Sequence, residues 1–112
     1  MAIEMTNCKR IELAIARVHL PVFARIFETA GVTGWTALKT IGGAGSSGIW
    51  REDQLTGAED HLVMIAITDE SAADTVLSQI SDLFERYPGI VSVSDAKVLR
   101  PERFAGRQTS GA

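Results

Sequence analysis

Two segments of the chain carry residue types that bind anions. A glycine-rich stretch, residues 42–48, has small side chains, so its backbone amides can approach a ligand closely. The second segment is the C-terminal region, which concentrates cations in a chain of net charge -3: Lys97, Arg100, Arg103 and Arg107. Guanidinium groups bind phosphate through paired hydrogen bonds. Together the segments predict a site for a phosphate-bearing small molecule, whereas the cations alone are more typical of a solvated basic tail.

Composition limits the range of functions. With 112 residues, of which 46% are hydrophobic and 22% charged, the chain has enough apolar material for one modest core and one domain. Its mild acidity argues against a broad nucleic-acid footprint. The single cysteine, Cys8, rules out an intramolecular disulfide. Residues 1–10 contain Glu4 and lack the apolar run of a signal peptide, and no stretch is apolar enough to span a membrane, so we expect a cytoplasmic protein.

The first half of the chain predicts a strand, a helix and a second strand. From Lys9 to Val18, apolar residues alternate with small or polar ones, which is the period of a strand with one buried face. Pro21 suits a first helical turn, and apolar residues then recur at helical spacing as far as Gly31, a plausible stop. Trp35 to Ile41 is rich in β-branched and aromatic residues, which predicts a strand that the glycine-rich stretch ends.

The second half repeats this order. Leu62 to Ile67 is a continuous apolar run, which predicts a central strand covered on both faces. A second helix can be capped by Asp69 or Ser71 and ends at Pro88-Gly89. Ile90 to Leu99 predicts the fourth strand, and the change of apolar parity within it predicts a bulge or a bend.

The order strand, helix, strand, strand, helix, strand predicts an α+β, ferredoxin-like fold, with two helices on one face of an antiparallel sheet. The predicted domain covers residues 1–104, and residues 105–112 form a polar tail. Two helices cover only one face of such a sheet. We therefore expect an oligomer built through the sheets, and the alternative is a monomer whose long loop folds over the second face.

The connection over residues 42–60 is long for a hairpin, and connections of this length are usually functional or disordered. Its distal part contains acids and an aromatic residue, which favours partner recognition over phosphate binding. The alternative is a mobile solvent loop with no task. The residues that we expect to contact a partner protein are Trp50, Arg51, Glu52 and Asp53.

Catalysis has weaker support. The only histidines, His19 and His61, make no metal-ligand spacing or nucleophile-base pair with the single cysteine. Asp53, Glu59 and Asp60 are suited to acid-base chemistry or to Mg²⁺ beside a polyphosphate, but acidic loop residues are more often only solvated. We expect neither catalytic residues nor a metal site.

Several motifs occur in an order that resembles the PII signalling proteins, over Lys9 to roughly Phe104. One of these motifs is the glycine-rich stretch. Its Gly42-Gly43 start and the passage Tyr87-Pro88-Gly89-Ile90-Val91 are most similar to the divergent PII-like branch linked to carboxysomes and bicarbonate transporters. The other motifs are Lys9-Arg10-Ile11-Glu12, Gly31-Val32-Thr33-Gly34-Trp35-Thr36 and Ala96-Lys97-Val98-Leu99-Arg100.

The resemblance implies a homotrimer of ferredoxin-like subunits, with adenine nucleotides in the clefts between neighbours. Arg103 is shifted by one residue from the family's second basic position, which Glu102 occupies here. The nucleotide-binding residues that the resemblance implies are Thr36, Gly42, Gly43, Ala44, Gly45, Ser46, Gly89, Ile90, Val91, Arg100 and Arg103.

Departures from the family pattern refine this expectation. The family's nucleotide loop is shortened here to Pro88-Gly89-Ile90 and has no lysine for a terminal phosphate, so we expect ADP or AMP rather than ATP, with cyclic AMP as a further candidate. The divergent branch implies bicarbonate as a second ligand. Asp60 stands where the family's modifiable tyrosine is expected, so tyrosine uridylylation is not predicted.

The resulting hypothesis is a sensor in inorganic-carbon handling, whose ligand orders the 42–60 loop for a bicarbonate transporter or a carboxysome-related protein. An RNA-binding module is one alternative, because the same element order occurs in domains that stack bases on their sheets. The predicted central strands lack aromatic residues, which argues against it. A small nucleotide phosphatase is the other alternative.

Overall fold

The computed structural model describes residues 3–45, 48–51 and 60–99. The main sheet is antiparallel and has the strand order β2-β5-β1-β6, and a separate two-stranded ribbon consists of β3 and β4. The elements in chain order are β1 (Thr6–Ala16), a 3-10 turn (Arg17–His19), α1 (Leu20–Thr29), β2 (Trp35–Lys39), β3 (Gly42–Gly45), β4 (Gly48–Arg51), β5 (His61–Thr68), α2 (Glu70–Leu83) and β6 (Gly89–Val98).

The core lies between one face of the sheet and the two helices. Alternate residues of β1 point into it, and Ile11, Leu13 and Ile15 are almost completely buried. Their register partners on β5 are Ala66, Met64 and Leu62, which are buried as well. The helices contribute Phe23, Phe27, Val76 and Ile80 to the same cluster. Because both helices pack on one face of an antiparallel sheet, the predicted ferredoxin-like α+β fold is confirmed.

Both helices begin, and α1 ends, where local chemistry predicts, whereas α2 ends at Leu83, before the predicted stop at Pro88-Gly89. Pro21 lies in the first turn of α1, and Gly31 follows the helix with a positive φ of 91°, a conformation that glycine adopts without steric cost. At the start of α2, the side chain of Asp69 accepts a hydrogen bond of 2.7 Å from the amide of Ala72. Asp69, and not Ser71, is therefore the cap of α2.

The second face of the sheet has no cover within the described part of the chain. Val63, Ile65 and Ile67 of β5 point to this face and are half-buried, whereas Leu38 and Ile90 at its edges are 47% and 72% exposed. We call this surface the open face. β5 is central, as predicted, but within one chain it is fully covered only on the helix side.

Of the two predictions for the last strand, a bulge or a bend, the bulge is wrong. The register between β1 and β6 runs without interruption from Thr6 opposite Val98 to Ile15 opposite Gly89. Between Val93 and Ala96 the less exposed residues of β6 change from odd to even positions. This change lies near the end of β5, whose last pair with β1 is Lys9 opposite Thr68. Beyond that pair, β1 and β6 are the only strands of the sheet at this position among the described residues.

The glycine-rich stretch also differs from the expectation of an irregular loop. Residues Gly42–Gly45 form β3, which pairs with β4 from Gly42 opposite Arg51 to Gly45 opposite Gly48. Gly48 has a φ of 107°, which side-chain-bearing residues rarely adopt, so this end of the ribbon requires glycine. Strand propensity does not predict this ribbon, because glycine is depleted in strands. The strand conformation of β3 instead depends on its antiparallel pairing with β4.

Candidate functional site

The ribbon of β3 and β4 presents the predicted anion-binding backbone to solvent. Gly43, Ala44 and Gly45 are exposed, and Ile49 on the paired strand is 80% exposed. Two of the four expected partner-binding residues, Trp50 and Arg51, belong to β4. The expected site residues Ser46, Glu52 and Asp53 lie outside the described residues.

The start of the ribbon and the start of β6 lie at the same end of the sheet. Lys39, the last residue of β2, pairs with Leu62 of β5, and Leu62 pairs with Ile15 near the end of β1. Ile15 in turn pairs with Gly89, the first residue of β6. However, β2 and β6 are the two edge strands, so three strand spacings, about 14 Å, separate them. One chain therefore does not bring the two predicted halves of the nucleotide site together.

The faces of three expected ligand residues are set by the strand register. Thr36 is exposed and lies opposite Ile65, and Ile90 lies opposite Ala14, so both side chains belong to the open face. Val91 lies opposite Leu13 and packs against the core cluster. Thr36 and Ile90 are thus available to a ligand on the open face, whereas Val91 can offer only its backbone.

Gly89 has a packing requirement of its own. A Cβ atom at this position would lie 2.7 Å from the carbonyl oxygen of Ala14 and 2.9 Å from Cγ2 of Ile15. It would also lie 3.4 Å from Cε1 of Phe84. Close packing of β6 on β1 is therefore sufficient to explain this glycine, whether or not it also contacts a ligand.

The cationic segment begins at the opposite end of the sheet. Val98 pairs with Thr6 at the beginning of β1, and Leu99 is the last described residue. Arg100 and Arg103 lie outside the described residues, as does Arg107. Because β6 is 10 residues long, its far end is about 30 Å from Gly89. The glycine ribbon and the end of β6 are not neighbours within one chain.

At the base of the 42–60 connection, where its two ends join the sheet, the fold brings together residues that are far apart in the sequence. The amide of Arg17 donates a 2.7 Å hydrogen bond to the carbonyl oxygen of Asp60, and Nη2 of Arg17 lies 3.6 Å from Oδ2 of Asp60. On the other side, the hydroxyl of Thr40 donates a 2.9 Å hydrogen bond to the carbonyl oxygen of His61. The sequence does not point to Arg17 and Thr40, since only the fold brings the ends of β1 and β2 and the start of β5 together.

Three titratable groups at the beginning of β1 and on the facing part of β6 have shifted pKa values. A hydrogen bond from Lys9 and its positive charge lower the pKa of the Asp95 carboxyl, and the same contacts raise the pKa of Lys9. Burial raises the pKa of the Cys8 thiol, and the negative charge of Asp69 adds to the effect. A thiol with a raised pKa is a poor nucleophile at neutral pH, so this group does not favour a catalytic site.

Within the described ranges, no group of three or more His, Cys, Asp or Glu side chains is arranged to hold a metal ion. No helix among these residues is long and apolar enough to cross a membrane.

The family model for nitrogen regulatory protein P-II matches residues 8–103. The chain belongs to the P-II family. This match confirms the resemblance to the PII signalling proteins, and the protein is a PII-like regulatory protein. No curated protein sequence matches the chain.

Solved structures of PII-like proteins have the same fold. CPII from Thiomonas intermedia, bound to ADP, AMP and bicarbonate, is 30% identical, with a TM-score of 0.82 over 92% of this chain and 98% of that chain. CPII bound to ADP, AMP and acetate has a TM-score of 0.75 at 25% identity over 91% of this chain and 98% of that chain. A PII-like signalling protein from Thermus thermophilus has a TM-score of 0.77 over 90% of this chain and 98% of that chain, and its 16% identity shows the fold alone. The similarity to CPII confirms the divergent PII-like branch.

Proposed function

We propose that this P-II family protein is a cytoplasmic homotrimer that binds ADP or AMP in the clefts between its subunits and also senses bicarbonate. Ligand binding would order the 42–60 loop, which then regulates inorganic-carbon uptake or carboxysome function through a transporter or a carboxysome-related protein. The polypeptide acts in this proposal as a signalling protein and not as an enzyme.

The separation of the two half-sites within one chain carries the proposal. One half consists of Thr36 on β2 and the backbone of the ribbon that follows β2. The other half consists of Gly89 and Ile90 at the start of β6, on the opposite edge of the sheet. A second copy can bring its own half-site beside the first and also cover the open face. Burial of that apolar surface provides the driving force for association.

The ligands of CPII support the choice of nucleotide and of the second ligand. CPII binds ADP, AMP and bicarbonate in the structure at 30% identity and ADP and bicarbonate in a second structure at 27% identity. In the present chain, the short Pro88-Gly89-Ile90 segment contains no lysine, so fewer cations are available for a third phosphate than the family pattern provides. This supports ADP or AMP over ATP.

Loop ordering requires a ligand that binds the two loop states with different affinity. The ribbon is attached at the cleft, because β3 begins three residues after the end of β2. A phosphate held by the backbone of Gly42, Gly43, Ala44 and Gly45 would therefore restrain the ribbon directly. The exposed Ile49 and the neighbouring Trp50 and Arg51 on β4 would then be presented to a partner protein in one arrangement.

Calorimetry with ADP, AMP, ATP and cyclic AMP, each with and without bicarbonate, tests the proposal, together with the mass in solution by light scattering. We expect a trimer that prefers ADP or AMP. Arg100→Ala should weaken ADP binding by roughly tenfold or more, as expected for the loss of charge-assisted hydrogen bonds. Arg25→Ala, which removes an exposed arginine of α1, is the control and should bind normally. A monomer that binds none of the four nucleotides would refute the proposal.

A further inference from the structure

An ion pair lies in the middle of the open face. Ile11 and Leu13 of β1 point into the core. Because side chains alternate along a strand, Arg10 and Glu12 point the opposite way, to the open face. Nη2 of Arg10 donates a hydrogen bond of 3.0 Å to Oε1 of Glu12. β1 is an inner strand, between β5 and β6, so side chains of both neighbouring strands surround the pair.

The neighbours of this pair on the open face are uncharged. On the β5 side they are apolar and half-buried, and on the β6 side they are small, polar and exposed. Arg10 and Glu12 therefore place a positive and a negative charge within a part of the open face that is otherwise apolar or weakly polar. The register partners of the pair are Ile67 and Ile65 on β5 and Ser94 and Ser92 on β6.

The hydrogen bond within the pair uses a small part of its bonding capacity. A guanidinium group has several N–H donors, and a carboxylate has two acceptor oxygens. Among the described residues, the bond between Arg10 and Glu12 is the one hydrogen bond that either side chain makes. The side chains are 37% and 45% exposed. In a single chain, water therefore reaches their other donors and acceptors, and covering the open face would remove that water.

Covering this pair has a free-energy cost that only new partners can offset. Charged groups are expensive to bury unless their donors and acceptors are bonded, and the centres of protein interfaces are accordingly depleted in charged residues. In the proposed trimer another copy covers the open face, and an inner strand such as β1 lies well inside that contact. The covering surface must therefore bring an anion to Arg10 and a cation to Glu12.

We propose that Arg10 of each copy pairs with Glu12 of the neighbouring copy, so that the ion pair is shared between subunits. A second copy of this chain fits the surface because it carries both charges that the pair requires. In a closed ring of three copies, every contact joins Arg10 from one side to Glu12 from the other. The charges then align the subunits, whereas burial of the surrounding apolar side chains drives association. This inference rests on the proposed function, since it names residues that align the subunits around the nucleotide cleft.

Charge reversal is the first step of the test. Arg10→Glu gives a chain with two acids at these positions, and Glu12→Arg gives a chain with two bases. For each variant alone, the concentration at which half of the chains have dissociated should rise roughly tenfold or more, because each contact would bury like charges. Light scattering over a dilution series measures this, and circular dichroism checks that the monomers are folded. Arg25→Glu and Glu28→Arg make the same changes at exposed positions of α1 and should assemble like wild type.

Mixing the two variants distinguishes a contact between copies from a contact within one chain. An equimolar mixture of Arg10→Glu and Glu12→Arg chains should form trimers at concentrations where neither variant does, and native mass spectrometry should find both chains in one trimer. Two of the three contacts in such a ring join opposite charges, although each chain still carries two like charges. A chain with both substitutions restores either kind of contact and should assemble like wild type. If that chain assembles but the mixture does not, the pair acts within one chain and the inference is wrong.

The outcomes separate this inference from the proposed function. A wild-type trimer whose two charge-reversed variants also assemble normally overturns only the inference. If the reversed chains do not fold, Arg10→Gln and Glu12→Gln decide, because each leaves one charge without its partner, and wild-type assembly of both contradicts the pairing. A monomeric wild-type chain overturns the proposed trimer and this inference with it. ADP calorimetry on wild type and on the mixture is the parallel measurement, and restored trimers without ADP binding by either sample support the pairing and overturn the proposed nucleotide function.

Discussion

Lys9 and Asp95 are direct register partners on β1 and β6, and Nζ of Lys9 lies 2.5 Å from Oδ1 of Asp95. The hydrogen bond and the attraction between the two charges lower the pKa of Asp95 below its ordinary value of 3.8 and raise the pKa of Lys9 above 10.5. Both shifts favour the charged forms in the folded protein. The pair therefore links the protonation of two exposed groups to the stability of the β1-β6 contact.

The first prediction is a pH-dependent effect of Asp95→Asn. Because the folded protein binds the Asp95 proton less tightly than the unfolded chain, the pair stabilises the fold above pH 3.8 and loses this contribution as the pH falls through the lowered pKa. Lys9 contributes below pH 10.5, and that contribution is lost as the pH rises through its raised pKa. In urea unfolding, Asp95→Asn should be less stable than wild type at neutral pH, and the difference should disappear in strong acid.

Asp82→Asn, which neutralises an exposed carboxylate on α2, is the matched control for this experiment. An Asp95→Asn defect of the same size at neutral pH and in strong acid would contradict a role for the ion pair, because only the charged carboxylate can attract Lys9.

The second prediction concerns the start of α2. Asp69 accepts a hydrogen bond of 2.7 Å from the amide of Ala72, which would otherwise have no partner within the helix. Asp69→Ala should lower the free energy of unfolding by about 1 kcal/mol, within the usual range of about 0.5–2 kcal/mol for caps. Asp69→Asn keeps the acceptor and should retain most of the stability. Chemical denaturation measures both, and equal losses in the two variants would show that the charge, and not the cap, stabilises this end.

The fold was largely predictable from local patterns. Alternation in β1 correctly predicted burial of Ile11, Leu13 and Ile15, and Pro21 and Gly31 correctly marked the ends of α1. These features depend on neighbours in the sequence. Local patterns did not predict β3, because glycine has a low strand propensity and this strand depends on its pairing with β4.

The site was less predictable because its parts meet only in three dimensions. The resemblance to the PII proteins named Thr36 and Ile90 as ligand residues, and the register places both on the open face. It did not reveal that Val91 faces the core. The contact of Arg17 with Asp60 joins residues that are far apart in the chain, and no sequence pattern connects them.

The third prediction separates the packing role of Gly89 from any role in binding. A Cβ atom here would be 2.7 Å from a backbone oxygen, which cannot move without disturbing β1. Gly89→Ala should therefore destabilise the protein by about 1–3 kcal/mol, as overpacked sites do. Gly45→Ala is the control, because its Cβ would meet nothing within 4 Å, and its stability should stay within about 0.5 kcal/mol of wild type. Thermal unfolding without ligand measures both, and a stable Gly89→Ala protein would assign this glycine to another role.

The fourth prediction tests the open face as the contact between subunits. Ile65 lies on this face opposite both Thr36 and Glu12, and its side chain points away from the helices. Ile65→Lys should leave the monomer folded, because the core is on the other side of the sheet, but it would bury an unpaired charge in the proposed trimer. We expect light scattering to show mainly monomer and circular dichroism to show the native secondary structure.

Ser78→Lys adds the same charge at an exposed position of α2, and this control should remain a trimer. Because the two half-sites come together only between subunits in the proposal, Ile65→Lys should also lose ADP binding in calorimetry, whereas Ser78→Lys should retain it. A folded Ile65→Lys trimer would exclude this face as the subunit contact. A folded Ile65→Lys monomer that still binds ADP with wild-type affinity would show that one chain provides the whole nucleotide site, contrary to the separation of β2 and β6 across the sheet.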